Sequence, residues 1–125
     1  MLWQDAEGLI TQVAFNNDRV EFITSGSQGF GNAVIAVYDN VDPNANDAKV
    51  LWSWHIWCAP RPSDRYIHSE SGGTIYTFMD RNIGAVSDAV GDNSYGLYYQ
   101  WGRKDPFEKP GKPLFDVLGM KVSAL

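Results

Sequence analysis

Residues 11–15 alternate, with Thr11, Val13 and Phe15 on one face and Gln12 and Ala14 on the other. Residues 20–24 repeat the pattern, Val20, Phe22 and Thr24 against Glu21 and Ile23. A period of two marks a half-covered strand. Between the two runs stands Asn16-Asn17-Asp18-Arg19. Asn and Asp tolerate left-handed backbone angles and bond to their own main chain, so a tight hairpin is predicted. Residues 25–31 form a glycine-rich connector. A phosphate-cradling loop needs a lysine and a helix after its glycines; here a β-type run follows, so a plain turn is expected. That run, residues 32–38, is nearly continuous apolar, as a strand covered on both faces would be.

Residues 39–47 carry many turn formers and read as an exposed loop. In residues 50–57 the faces separate again, Trp52, Trp54 and Ile56 against Ser53, His55 and Trp57. Pro60 and Pro62 then remove ladder donors and stop the strand. Residues 74–79 predict another strand, led in by Ser71-Gly72-Gly73. Asp92 or Asn93 is placed to cap a short helix over residues 96–102, with Leu97 and Trp101 on one face and Gly102 as its stop. Residues 105–113 hold three prolines, Pro106, Pro110 and Pro113, and are expected to be extended or irregular. A last hairpin is expected from residues 114–118 and 120–125 around Gly119. The sum is five to seven strands and one short helix: an α+β fold, mostly antiparallel β.

Length narrows this to one domain, or a fragment of a longer protein, because 125 residues suit a single core. A net charge of −5 argues against nucleic acid, whose phosphates call for the opposite sign. No apolar stretch is long enough for a membrane helix. The single Cys58 forbids an internal disulfide and a cysteine-based zinc cage. The opening Met1-Leu2-Trp3-Gln4-Asp5 lacks a basic start and an apolar stretch. Two readings follow, a cytosolic protein or one from which an upstream segment has been removed.

Candidate chemistry is sparse. His55 and His68 are the only histidines, and nothing in their spacing makes a metal pair; a hydrogen-bonded structural role is expected for them. Cys58 lies three residues from His55, so on a continuous strand the two point to opposite faces and cannot form a nucleophile–base pair. No cofactor is expected. Asp80, Asn82, Asp88, Asp92 and Asn93 offer oxygens for calcium, but their spacing matches no calcium loop. An ion pair is expected within Arg103-Lys104-Asp105, and Asp80 and Arg81 are expected to pair with local backbone or with Asp105 and Arg103. A glycoside-type acid pair such as Glu70 and Asp80 is conceivable, though nothing singles it out. The seventeen aromatic residues (five Trp, six Tyr, six Phe) are expected mostly to fill the core. Trp57 and Tyr99 are the candidates for an exposed ligand-binding platform.

Three phrases together have a family likeness. They are residues 31–38 (GNAVIAVY), residues 51–57 (LWSWHIW), and residues 79–85 (MDRNIGA) followed by 96–107 (GLYYQWGRKDPF). The chain resembles, over about residues 2 to 120, the Bacteroidetes cell-surface proteins known as fimbrillin-like or fimbrial tip-type lipoproteins. Its second half also resembles the Fibrobacter succinogenes major paralogous domain. The resemblance implies a protein secreted to the outer-membrane surface and anchored through an upstream lipoprotein signal. It implies a β-rich half at 1–58 and a C-type-lectin-like half at 72–125. Related domains continue past the WGRKDPF phrase, so a truncated version or fragment is expected, with the lectin-like half incomplete. No enzymatic activity and no catalytic residue come with the resemblance. The expected function is a non-catalytic structural or adhesive role, with a carbohydrate-binding module as the alternative and a small hydrolase behind both. Expected partners are a surface glycan or protein ligand, other surface or pilus subunits, or a second copy of the chain.

Overall fold

A computed structural model describes residues 1–27, 29–70 and 72–107, with the backbone of 114–115 and 121–122. Among the described residues nine strands run in the order β1 (Trp3–Gln4), β2 (Ile10–Asn16), β3 (Arg19–Thr24), β4 (Gly31–Tyr38), β5 (Val50–Cys58), β6 (Asp64–His68), β7 (Ile75–Met79), β8 (Leu114–Phe115) and β9 (Lys121–Val122). Every pairing is antiparallel. The central sheet is β1-β4-β5, and β2-β3, β6-β7 and β8-β9 are separate hairpins.

The predicted hairpin forms, with Asn17 and Asp18 both at positive φ (49° and 60°) between the Asn16–Arg19 pair. Two consecutive positive φ angles make the tight turn whose twist matches its strands. β4 and β5 carry the predicted alternation through their register. Ala33 faces Ile56, Ile35 faces Trp54 and Val37 faces Trp52 on one side of the sheet. Asn32 faces Trp57, Val34 faces His55 and Ala36 faces Ser53 on the other. The β2 end of the hairpin covers only one end of the first side. There Leu9, Ile10 and Ala33 are buried, with Val13, Ile56 and Cys58 packed against them. Segment 84–107 lies against the second side and places Ala85 and Leu97 in buried positions.

Two expectations change. Residues 96–102 are not a helix. Among the described residues the only helical element is a 3-10 turn at Asp92–Ser94, so the fold class is mostly antiparallel β and not α+β. Gly96 and Gly102 sit at φ +71° and +78°, outside the helical basin. A Cβ on Gly96 would stand 2.5 Å from the Ile83 carbonyl, so the backbone passes too close for any other residue. That approach lets the Leu97 N–H donate to Ile83 O (3.1 Å) while Tyr98 bridges to Phe107. Leu97 is therefore buried, while Trp101, its expected partner on one helix face, is fully in solvent.

The tryptophans are the second correction. Trp52 and Trp54 are 53% and 38% exposed and Trp101 is 101% exposed, so these indoles are not core. The cause is coverage. The buried cluster beside the β2-β3 hairpin takes in Ile56 but neither Trp54 nor Trp52, which stay in solvent although Ile35, across from Trp54, is buried. The core is instead aliphatic and small, Leu9, Ile10, Ala33, Val34 and Ile35. β6 was not expected, since Asp64, Arg65 and His68 hide its alternation; it pairs along the whole of β7. Of the last expected hairpin, Leu114–Phe115 and Lys121–Val122 pair as β8 and β9, and Gly119 lies outside the described residues.

Candidate functional site

The residues best suited to chemistry collect where segment 84–107 meets the second face of the central sheet. Asn32, on β4 and 1% exposed, is the hub. Its backbone N–H donates to Asp5 Oδ1 (2.7 Å), and its amide Nδ2 donates to Asp5 Oδ2 and to Gly84 O (2.9 Å each). With both amide hydrogens engaged, Oδ1 is left to accept from His55 Nε2 (2.9 Å). His55 therefore carries its proton on Nε2, and its Nδ1 accepts from the Tyr99 hydroxyl (3.1 Å). One hydrogen-bonded chain, Asp5–Asn32–His55–Tyr99, thus joins the start of the protein, β4, β5 and segment 84–107. Burial pushes His55 below its usual value, against the opposing pull of Asp5 and Asp105, and pushes Tyr99 above its own.

Beside it, Ser53 Oγ donates to Asp105 Oδ2 (2.6 Å). Lys104 Nζ donates to Ser53 O (2.8 Å), Ser53 Oγ and Asp105 Oδ1 (2.7 Å), which engages all three of its hydrogens. Lys104 also lies over the Trp52 ring, 4.9 Å from its centre. Ser53, His55 and Asp105 are the residue types of a hydrolytic triad, but their bonds do not run as one. Ser53 is held by Asp105 and Lys104, and both nitrogens of His55 are engaged elsewhere. Ser53 donates to the Asp105 carboxylate and accepts from Lys104, and neither nitrogen of His55 bonds its hydroxyl. What the arrangement does is brace segment 84–107 against the sheet.

The other candidates separate. Trp57 is half-buried and its indole N–H donates to Ala85 O (3.1 Å), whereas the Tyr99 ring is 43% exposed above His55. Both reach the second face of the central sheet, and the openly displayed indoles are Trp52, Trp54 and Trp101. His68 is exposed on β6, and Cys58 is half-buried on the face opposite His55, its thiol pushed up by burial and by Asp5. Asp80 is gripped in two-point fashion by Arg81 (2.7 and 3.0 Å), which holds its carboxyl down at about 2. Asp80 is thus committed to a cation and is not poised beside Glu70. Of the calcium candidates, Asp88 pairs with Arg65 and the Asn82 amide donates to Tyr95 O. Among the described residues no group of three or more His, Cys, Asp or Glu gathers to hold a metal, and no helix is long and apolar enough to cross a membrane.

A second feature escaped sequence reasoning. An open groove of about 820 Å³ runs between Val13, Phe15 and Val20 of the hairpin, Ala36–Tyr38 of β4, and loop residues 39–44. Val37 in its wall is the cross-strand neighbour of Trp52. Alternation in each strand signalled the apolar faces; that two of them stand apart and leave a groove is a tertiary outcome. The chain matches no protein-family model, and comparison with curated proteins and with solved structures returns no match.

Proposed function

We propose that this chain is a non-catalytic cell-surface or pilus-associated protein that adheres or assembles through an exposed aromatic face. The observation that carries the reading is the open end of the β4-β5 face, where Trp52 and Trp54 stand in solvent beside an open groove lined by both apolar and polar side chains. Large aromatics left in water are costly in a monomer and are the residues from which binding surfaces are built. The resemblance to fimbrillin-like surface proteins supports a location outside the cell, on the outer-membrane surface. The brace around Asn32 and Ser53 is in keeping with that reading, since Asp5, His55, Lys104 and Asp105 spend hydrogen bonds on joining segments of the fold.

A carbohydrate-binding role is the second reading, favoured by Trp101, whose ring is wholly exposed and free to stack on a sugar face. A lectin-like arrangement of the second half, which the family resemblance implies, belongs with that reading. A glycan array and a panel of purified surface proteins, probed with the wild type and with a Trp52→Ala/Trp54→Ala double variant, test both. Protein or self-association lost in the double variant supports adhesion or assembly. Glycan binding lost in Trp101→Ala supports the second reading. Turnover of ester or glycoside reporter substrates that vanishes in His55→Ala and survives in Trp52→Ala would sink both.

A further inference from the structure

Among the described residues the β6-β7 hairpin is the least covered apolar element. All ten of its residues are exposed, and Tyr66, Ile67, Ile75, Tyr76, Phe78 and Met79 each show 44–62% of their surface. A lone two-stranded hairpin is marginal in water and gains stability when further strands extend it. Its two edges differ in kind. β6 carries Asp64, Arg65 and His68, is entered through Pro60 and Pro62, and has Arg65 paired to Asp88 (3.5 Å). These are the devices that discourage edge pairing. β7 reads Ile75-Tyr76-Thr77-Phe78-Met79, with no charge, proline, glycine or bulge.

The ladder shows what that edge offers. Asp80 N bonds Ser63 O and Ser69 N bonds Thr74 O (2.9 Å each), and hydrogen-bonded pairs alternate along an antiparallel ladder. In the register that pairs Asp64 with Met79, the inward-bonded residues of β7 are therefore Tyr76 and Phe78. Ile75, Thr77 and Met79 turn their N–H and C=O groups away from β6, and among the described strands none pairs with them.

We infer that the partner of this edge is a second copy of the chain, paired antiparallel through β7 about a two-fold axis at Thr77. In that register Thr77 meets Thr77, Ile75 meets Met79 and Tyr76 meets Phe78. The outward groups of Thr77 and of the two Ile75–Met79 pairs form two hydrogen bonds each, six in all, and no outward group of Ile75, Thr77 or Met79 is left over. The Tyr76–Phe78 pairs fall at the non-hydrogen-bonded positions, where side chains approach most closely and aromatic pairs gain most. No charge opposes a like charge at the seam, although each chain carries −5 overall. The product is a four-stranded sheet whose two outer edges are both β6, so the charged strand closes the assembly at two copies. The inference is independent of what Trp52, Trp54 or Trp101 binds.

Light scattering coupled to gel filtration tests it on the full chain, at loadings from about 1 μM to 1 mM to bracket weak and moderate association. The mass is expected to rise from 14.0 kDa to twice that value. Thr77→Lys sets two like charges on the axis and is expected to shift the midpoint at least about tenfold toward monomer, with an unchanged circular dichroism spectrum. Thr77→Glu alone does the same, and an equimolar mixture of the two variants recovers the dimer. A wild type that stays monomeric throughout overturns the inference. So does a dimer indifferent to Thr77→Lys, a mixture that fails to recover, or growth beyond two copies.

Discussion

Asn32→Asp isolates the polarity of the central brace, because it preserves size and exchanges an amide for a carboxyl. The native Nδ2 donates at 2.9 Å to Asp5 Oδ2 and at 2.9 Å to Gly84 O. An ionised carboxyl donates nothing, so both acceptors lose their partner at a position 1% exposed. A buried polar group left without its partner costs about 1–3 kcal/mol, which makes about 2–6 kcal/mol for the two. The new charge also faces the Asp5 carboxylate and adds to that cost. Against a total stability of about 5–15 kcal/mol this is a large fraction.

Urea unfolding at pH 7 is expected to show a lower midpoint at unchanged slope, with a loss of at least about 2 kcal/mol. The pH dependence has a defined sign. The introduced carboxyl is buried beside another acid, so it binds its proton more tightly folded than unfolded. The penalty is therefore full well above that folded value and relieved as pH falls through it, since the protonated form again donates one hydrogen bond. Asn32→Ala leaves the same acceptors unpaired and shows no such relief. A loss below about 0.5 kcal/mol at pH 7, or one identical at pH 4.5, would refute the hub role of Asn32.

Two further outcomes follow from the same geometry. Gly96→Ala places a Cβ 2.5 Å from Ile83 O at a φ of +71°, so thermal melting is expected to show a loss of at least about 2 kcal/mol; a change within about 0.5 kcal/mol would contradict the close backbone approach. Burial holds His55 below its unfolded value near 6.5, so its neutral form is favoured on folding: melting temperature is expected to be highest above about pH 6.5 and to decline on acidification toward pH 5, a slope that His55→Gln removes and whose persistence in that variant would place the titrating group elsewhere.

The strands were legible because their information is local. Alternation in residues 11–15 and 20–24, the Asn-Asn-Asp turn between them, and the face assignment of residues 50–57 follow from side-chain period and turn chemistry, and the register repeats them except at Thr11, where a bulge sets Ile10 opposite Thr24. So was the separation of His55 from Cys58, which needs only the pleat of one strand. β6 was not legible, because three charged or titratable side chains in five residues mask an apolar pattern that its pairing with β7 stabilises. The brace was legible only in part. His55 could be assigned a hydrogen-bonded role, but its partners Asn32, Asp5 and Tyr99 lie 23 to 50 positions away, and no local rule links them.

The sequence alone determined that this protein builds antiparallel strands, where the first hairpin turns, and which side chains share each strand face. Tertiary structure alone decided which faces are covered. Propensity and spacing assign Trp52, Trp54 and Trp101 apolar surface, but burial depends on whether another element reaches them. The buried cluster beside the hairpin takes in Ile56 and not Trp54 or Trp52, and the glycines at 96 and 102 turn the chain out of the helix that local pattern favoured. Coverage is a relation between segments distant in the chain, and that is why the indoles expected inside stand at the surface.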